Sequence, residues 1–397
     1  MLQVALGWEL YERTNSALAL GLVGLVTAIP VILLALPAGH LADRMDRKHI
    51  VIAAQVVFII TSLALAGLSF AQGPIPLVYA TLLLGGIAQA YNNPARAALL
   101  PRLVPPSVFG NAVTWSSSAF QVAAVVGPAL GGAVIAFQNR AAGAYIADAV
   151  LSAIYLVMLL AIRGGGGGEA GSGPGSMVSP VKEGLAVERR ATEKMTVQSL
   201  AAGLRFVKQD KVILAALTLD LFAVLLGGAT ALLPIFAKDI LQVGPEGLGW
   251  LRAAPSVGAL LVMLGIAHRR PMQRTGWTLI LAVAGFGAAT IVFGISKSFG
   301  LSLAMLFILG GLDGISMIIR GTLVQMRTPD EMRGRVSAVN SVFIDMSNEL
   351  GSFESGALAA AVGPVAAVVG GGIGTIVVVV AVAKTWPALR RLDALHE

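Results

Sequence analysis

Gly39-His40-Leu41-Ala42-Asp43-Arg44-Met45-Asp46-Arg47-Lys48 separates two long apolar runs, Ala17 to Pro37 before it and Ile50 to Ala71 after it. An apolar helix of about 20 residues crosses a bilayer core of about 30 Å. A short, basic, acid-containing connection between two such runs therefore reads as the joint between two membrane spans. Working outward, eleven runs of this kind begin near Ala17, Ile50, Ile75, Val108, Ala141, Val212, Gly247, Trp277, Gly300, Gly334 and Gly363. A shorter one comes first. Met1 to Tyr11 (MLQVALGWELY) rises only about 17 Å as a helix. It has neither a basic leader nor a small-residue cleavage site, so it does not read as a signal peptide.

Composition agrees with these runs. The chain is 56% hydrophobic and 12% charged, against about 25% charged in a soluble domain. Mean hydropathy is +0.82. With no cysteine there is neither a disulfide nor a thiolate metal site. No H-E-x-x-H, G-x-S-x-G or Walker A run occurs, and histidines total four. That argues against a membrane enzyme and against ATP-driven pumping by this chain. Gly166 to Gly171 formally matches G-x-G-x-x-G, but no strand precedes it and no dinucleotide site is expected. No cofactor and no metal are expected.

Positive charge is distributed unequally. If the chain starts on the cytoplasmic side, that side collects all of the 28 Lys and Arg except Arg13, Arg140, Lys238, Arg252 and Lys297. This is the bias of the positive-inside rule. The net charge of +7 thus reports topology. No basic face on a soluble domain is present, and a nucleic-acid partner is not expected.

The stretch from Gly39 to Lys48 resembles the G-x-L-a-D-r-x-g-r-k loop that joins helices two and three of the major facilitator superfamily. In span five, Gly127-Pro128-Ala129-Leu130-Gly131-Gly132 resembles the antiporter-type G-P-x-x-G-G motif, which that family associates with exporters. Pro94 to Pro105, Leu219-Asp220-Leu221-Phe222 with Leu232-Leu233-Pro234, Arg333-Gly334-Arg335-Val336 and Asn348 to Gly356 are similar to the bacterial enterobactin-exporter-like efflux branch. The likeness runs from Leu2 to about Leu392 apart from one linker. It implies an all-α membrane protein with two six-helix halves, 12 transmembrane helices in total. Met1 to Tyr11 resembles the second half of the family's first helix, and its start is expected upstream.

The expected division is an N-terminal half at 1–163, a flexible Gly-rich linker at 164–195 and a C-terminal half at 196–397. The linker opens with Gly164 to Gly168, a composition that cannot bury a core. Val197 to Val207 (VQSLAAGLRFV) reads as an amphipathic helix at the membrane interface. The halves look like distant repeats. Gly21, Pro30 and Gly39 precede the first charged loop; Gly247, Pro255 and Gly265 precede Arg269, Arg270 and Arg274. Parallel repeats with a substrate site between them suit this fold.

Candidate mechanism residues follow. Gly39 is expected to let the chain turn at a helix end. The resemblance gives Asp43 a gating contact with the opposite half, and Arg44, Arg47 and Lys48 are expected to anchor the loop to anionic lipid. Pro128 should bend span five, while Gly127, Gly131 and Gly132 let a neighbouring helix approach. Charges inside spans are costly and point to function: Asp148, Asp220, Asp313, Asp345, Glu349 and Glu354. Asp313 and Arg320, seven apart on one face, are expected to pair. Asp220 stands alone in span seven. Asp345, Asn348, Glu349 and Ser352 form one polar stripe, of the kind that faces a water-filled cavity. Any of these acids could carry a coupling proton, and the alternative for each is a structural hydrogen bond or an ion pair near a membrane interface.

The expected function is proton-coupled export of a small amphiphilic cargo, such as a siderophore, drug or metabolite, by alternating access. The protein is read as a multi-pass monomer of the bacterial inner membrane. Loop 2–3, linker and C-terminus are expected in the cytoplasm, and the expected partners are cargo, protons and membrane lipid. An importer on the same fold, or a non-transporting scaffold or sensor, are the alternatives.

Overall fold

The computed structural model describes residues 1–162, 197–268, 274–329 and 331–392. The expected linker at 164–195 lies outside the described residues, as do Arg269 and Arg270. Within the described residues the chain is helical: α1 Leu2–Thr14, α2 Ala17–Arg44, α3 Arg47–Phe70, α4 Ile75–Leu103, α5 Phe109–Gln138 and α6 Ala142–Ala161. After the gap come α7 Val197–Gln209, α8 Lys211–Leu226, α9 Gly244–Ala267, α10 Thr275–Ile295, α11 Phe299–Arg327, α12 Arg333–Val362, α13 Pro364–Thr385 and the short α14 Pro387–Arg390. Between α8 and α9 the chain passes through a 3₁₀ turn at Ala229–Leu232, one α-turn at Leu233–Ile235 and a π-turn at Phe236–Ile240. The proline at 234 opens that α-turn, where its missing N–H costs nothing.

The long helices begin within three residues of the positions read from hydropathy. Their starts are fixed by local chemistry. Ser16 caps α2 through the Ala19 N–H at 3.3 Å, Asp46 caps α3 through the Lys48 N–H at 2.9 Å, and Asp210 caps α8 through the Val212 and Ile213 N–H groups at 2.8 and 3.1 Å. Each carboxylate or hydroxyl satisfies donors that the first turn leaves open. Asn15 and Asn139, with φ of 45° and 52°, close α1 and α5 in the left-handed conformation, which asparagine tolerates.

Among the described residues, nine helices are long and apolar enough to cross a membrane. The short α1 and the more polar α4 and α12 fall outside that measure. The reason is visible in their sequences: α4 carries Gln89, Asn92 and Asn93, and α12 carries Asn340, Asn348 and Glu349. A helix that lines a polar interior need not be apolar all round.

The charged stretch departs from its reading as a loop. Helix α2 continues to Arg44 and α3 begins at Arg47, so only Met45 and Asp46 break the helices. Gly39 therefore lies inside α2, with open space where a Cβ would stand, and is not the turning residue. The turn is made by Asp46, whose side chain restarts the helix.

Helices α2, α3, α4 and α6 pack on one another, with α1 and α5 against them. Helices α8 to α13 form a second mutually packed group. The two groups meet along α2 with α12 and along α5 with α9. Two glycine pairs make these crossings close. A Cβ on Gly21 would stand 3.0 Å from the Gly356 Cα, and one on Gly132 would stand 2.5 Å from the Pro245 oxygen and 2.9 Å from the Gly249 Cα. Helix contacts of this kind depend on small residues, because lipid offers no hydrophobic drive for association. A core of Leu10, Tyr145, Leu232, Leu233, Phe236, Leu248 and Phe293 joins the groups at the same end, with the Phe236 and Phe293 rings stacked at 4.7 Å.

Helix α7 forms as expected, but its apolar face is not left for lipid. Val207, Leu204 and Phe206 join Ile213, Leu217, Val324, Val336 and Val339 in one cluster, and Gly203 lies against the Arg335 backbone.

Candidate functional site

The buried charges of the second helix group come from two helices. Asp220 lies ten residues beyond the Asp210 cap in α8, and Arg320 lies in α11. Both are 6% exposed, and an Arg320 Nη1 donates directly to Asp220 Oδ2. Asp220 is thus not alone, which corrects its reading as an isolated acid. Arg320 is not a loop cation, and its ion-pair partner is on the neighbouring helix, not Asp313 on its own. Asp313 shares a face with Arg320 two turns away, about 10 Å between backbones along the axis, a gap that the long arginine side chain narrows. A residue across the groove is nearer.

Asp313 remains part of the same cluster. With Asp220, Ser316, Ala223, Val224, Val283, Phe286 and Leu312 it lines a cavity of about 10 Å³, room for about one water. Ser316 is 3% exposed, and neither its hydroxyl nor the Arg320 Nε has a hydrogen-bond partner. Ser316 had no signal in the sequence: a serine inside an apolar helix becomes notable only when packing leaves its hydroxyl unsatisfied.

At the basic end of α11, two turns beyond Arg320, a second rung repeats the pattern. Arg327 Nε donates to Asp210 Oδ2 at 3.0 Å. Burial pushes the Asp210 carboxyl up, but the Ile213 N–H, the Arg327 guanidinium and the Val212 N–H outweigh it and hold the carboxyl below its ordinary value.

The other candidates are spread over the molecule. Glu349 Oε2 accepts from Thr27 Oγ1 at 3.3 Å across the α2–α12 crossing, and the Glu349 backbone and the Ser352 side chain abut Gly24. Part of the expected stripe therefore packs against α2. Asn348 is exposed and donates to the Ile344 carbonyl at 2.9 Å. Glu354 accepts from Ser355 Oγ at 3.4 Å. Asp148 accepts from Ser62 Oγ at 2.8 Å, within its own helix group. It also borders a cavity of about 580 Å³ along α5 and α6. The side chains of Asp43 and Asp345 lie outside the described residues.

The basic residues of the charged stretch divide. Arg44 is exposed. Arg47 Nη1 donates to the Ala98 carbonyl at 2.9 Å and Lys48 Nζ to the Ile162 carbonyl at 2.5 Å. Both bind protein backbone near the ends of α4 and α6. In the span-five motif Pro128 sits inside α5. Gly131 meets the Met1 backbone and Gly132 meets α9, while a Cβ on Gly127 would stand 3.5 Å from the Met1 nitrogen. The motif is the seat of the α5–α9 crossing.

Cross-group polar contacts run along α1, from Gln3 near its start to Tyr11 and Asn15 at its end. Tyr11 Oη donates to Asp239 Oδ2. Lys238 Nζ donates to Asn15 Oδ1 at 3.2 Å and lies 5.3 Å from the centre of the Tyr11 ring. Arg252 Nη2 donates to Gln3 Oε1 at 2.9 Å. The sequence placed Lys238 and Arg252 at outer helix ends and gave no signal for this pairing.

The Major Facilitator Superfamily model matches residues 1–352. The chain belongs to that superfamily. The family and its transporter relatives make the chain a transporter, not an enzyme. The "Multidrug efflux pump Tap" of Mycolicibacterium fortuitum is 25% identical over 370 residues, covering 91% of this chain and 85% of that protein. The "Enterobactin exporter EntS" of Escherichia coli O1:K1 / APEC is 25% identical over 395 residues, covering 98% and 89%. Among solved structures, a bacterial homologue of the human lysosomal transporter Spinster, inward-facing and unoccupied, aligns at a TM-score of 0.68 and 15% identity over 98% of this chain and 93% of that one. A peptide transporter POT in complex with sulfate aligns at 0.70 and 14% over 99% and 92%. These structures share the facilitator fold. The chain is a multi-pass membrane transporter of small-molecule cargo.

Proposed function

We propose that this chain is a proton-driven exporter of a small amphiphilic molecule, working by alternating access between two helix groups. The observation that carries the proposal is the buried Asp220–Arg320 pair with Asp313 beside it. Two acids and one guanidinium inside membrane-spanning helices form an element with two arrangements. A proton on Asp220 releases Arg320, which then has Asp313 within its own face as a second partner. Loss of the proton restores the first pairing. Buried charges of this kind are expensive unless they serve a cycle.

The cluster has a path to the crossing between the groups. Helix α8 holds α12 closely, with Gly351 against the Val224 and Leu225 carbonyls, and α12 meets α2 through Gly356. A shift of α8 against α11 would be felt where the groups join. Among the described residues, Tyr11 with Asp239 and Asn15 with Lys238 join the groups near the end of α1, and Gln121 meets Met263 at 3.8 Å between α5 and α9. Efflux as the direction rests on the Gly127 to Gly132 motif and on the two exporters 25% identical to this chain. The cargo class follows those relatives: drugs, siderophores or like metabolites. The protein would act as a monomer, in contact with inner-membrane lipid.

The test is proton movement in liposomes holding the full chain and an internal pH-sensitive dye, on addition of siderophores and cationic drugs. Cargo-dependent flux that vanishes in Asp220→Asn and survives in Asp148→Asn supports the proposal. Cargo movement that continues unchanged without a proton gradient sinks it.

A further inference from the structure

We propose that Arg252 and Gln3, at the seam between the two helix groups, form a cargo subsite for an amphiphile bearing a carboxylate. The inference deepens the proposed function: it names a charge class for the exported molecule, and it rests on that reading of the chain as an exporter. Its first support is position. Arg252 stands eight residues into α9, within the span Gly244–Ile266, about 12 Å from where that helix starts. It shares a face with Gly249, three residues earlier, which seats α9 on Gly132. The side chain therefore stands on the face turned to the other group. An arginine at this depth could extend its stem toward the near end of the helix. It does not: Nη2 donates to Gln3 Oε1 at 2.9 Å, and Gln3 lies eleven residues before the end of α1, about 16 Å inward. The end of α1 and the start of α9 are on the same side, as the contact of Tyr11 with Asp239 shows. Both residues thus lie at similar depth within the span.

The second support is the donor set. Among the described residues the contact with Gln3 is the one hydrogen bond of this guanidinium, and no carboxylate forms an ion pair with it. Glu349 on α12 acts on it only from a distance. A cation inside a membrane span is costly and calls for an anionic partner. Arg252 is half-buried and Gln3 is exposed, so both remain accessible at the seam. With its oxygen engaged, the Gln3 amide keeps its NH2 group as a further donor. A guanidinium with open N–H groups beside an amide NH2 offers donors only. That set suits a planar anion held by two parallel hydrogen bonds. One positive charge matches a carboxylate and not a phosphate dianion.

The measurement is equilibrium binding to the full-length chain in phosphatidylcholine nanodiscs, with empty nanodiscs subtracted. The probes are two radiolabelled acids and their amides: 2-naphthoate with 2-naphthamide, and salicylate with salicylamide. The expected result is saturable binding in which at least one acid binds about tenfold tighter than its amide, the margin of a charge-assisted pair. Arg252→Gln should remove that margin and leave the amide affinity unchanged. Arg252→Lys keeps the charge, loses the fork and should keep part of the margin. Gln3→Glu should also remove it, by placing a carboxylate of the protein against the guanidinium, and this variant carries the test if Arg252→Gln does not fold. No preference for either acid in the wild type would overturn the inference. So would equal loss of acid and amide binding in Arg252→Gln, the result expected if Arg252 only ties α9 to α1, or an acid preference unchanged in Gln3→Glu. Acid binding that depends on Arg252, with no proton flux in the liposomes, would support this subsite and remove the proton-driven reading. Proton flux abolished by Asp220→Asn, with no acid preference, would do the reverse.

Discussion

A buried ion pair is a poor source of stability and a sensitive one. Removing one partner of the Asp220–Arg320 pair leaves the other charge desolvated, at a cost of about 3–5 kcal/mol. Arg320→Met should therefore lower yield and thermal stability sharply. Asp220→Leu combined with Arg320→Met should recover most of that loss, since an apolar pair of similar volume is often neutral or better. The double variant should still fail to move protons in liposomes. Folding and transport thus separate, and a double variant that stays as unstable as Arg320→Met would contradict this account. Asp210 gives a prediction of the opposite kind, in acid. Its carboxyl is held below its ordinary value, so its contribution is present above the unfolded carboxylate range near pH 4 and is lost as pH falls through the folded value. Asp210→Ala removes a helix cap and should cost about 1–2 kcal/mol at neutral pH. The gap between wild type and variant in melting temperature should narrow as pH is taken below that range. The sequence showed that Asp220, Asp313 and Arg320 were unusual, because charge in an apolar run is conspicuous. It did not show which of them pair. Pairing depends on how α8 and α11 rotate against each other, and neither helix carries that information alone.

At the scale of helices, hydropathy located the starts of the long elements, since a run of apolar residues in lipid has little choice but to be helical. The charged stretch was misread as a loop for a physical reason. Charge marks where the chain leaves the apolar core, not where the helix ends, and α2 continues to Arg44. The crossings were partly legible: the Gly127 to Gly132 motif announced a close approach, but its partner in α9 needed the fold. The partner supplies a test. Gly132→Leu would drive a side chain into the Pro245 oxygen and the Gly249 backbone, and Gly356→Leu would do the same to Gly21. Overpacking costs about 1–3 kcal/mol where the neighbour cannot yield; here the neighbour can, by separating the two helix groups. Both variants should fold, lose transport and lengthen the spin-label distance between α5 and α9 at their Gly132–Gly249 end. Unchanged distances with full transport would mean that these glycines are ordinary packing. Arg47→Ala should be milder, because the carbonyl it serves near the end of α4 can find water.

For the molecule as a whole, what matters is the free-energy difference between closure at one end and closure at the other. The contacts from α1 to the broken segment after α8 weigh on that difference, since they join the two helix groups at one end. Tyr11 Oη to Asp239, and Lys238 to Asn15 and to the Tyr11 ring, must all break for this end to open. The sequence could not announce them, because each side chain taken singly is an ordinary interfacial residue and only the meeting of distant segments makes a latch. Tyr11→Phe keeps the ring, and with it the packing and the contact to Lys238, and removes only the donor to Asp239. A single hydrogen bond to a charged acceptor at a partly solvated helix end contributes about 1 kcal/mol net, which is about a fivefold change in the population ratio of two conformations. The variant should therefore shift the ensemble toward the state open at the α1 end. Cysteine labelling suits the measurement, since the natural chain has no cysteine. A single cysteine placed at Ile135, 1% exposed in the core that joins the groups at this end, should react about fivefold faster with a membrane-impermeant maleimide in the Tyr11→Phe background. Asp239→Asn should produce a shift in the same direction, and the two changes together should be less than additive because they remove the same bond. Additive effects would mean that Tyr11 and Asp239 restrain this end separately, and the latch as described here would fail.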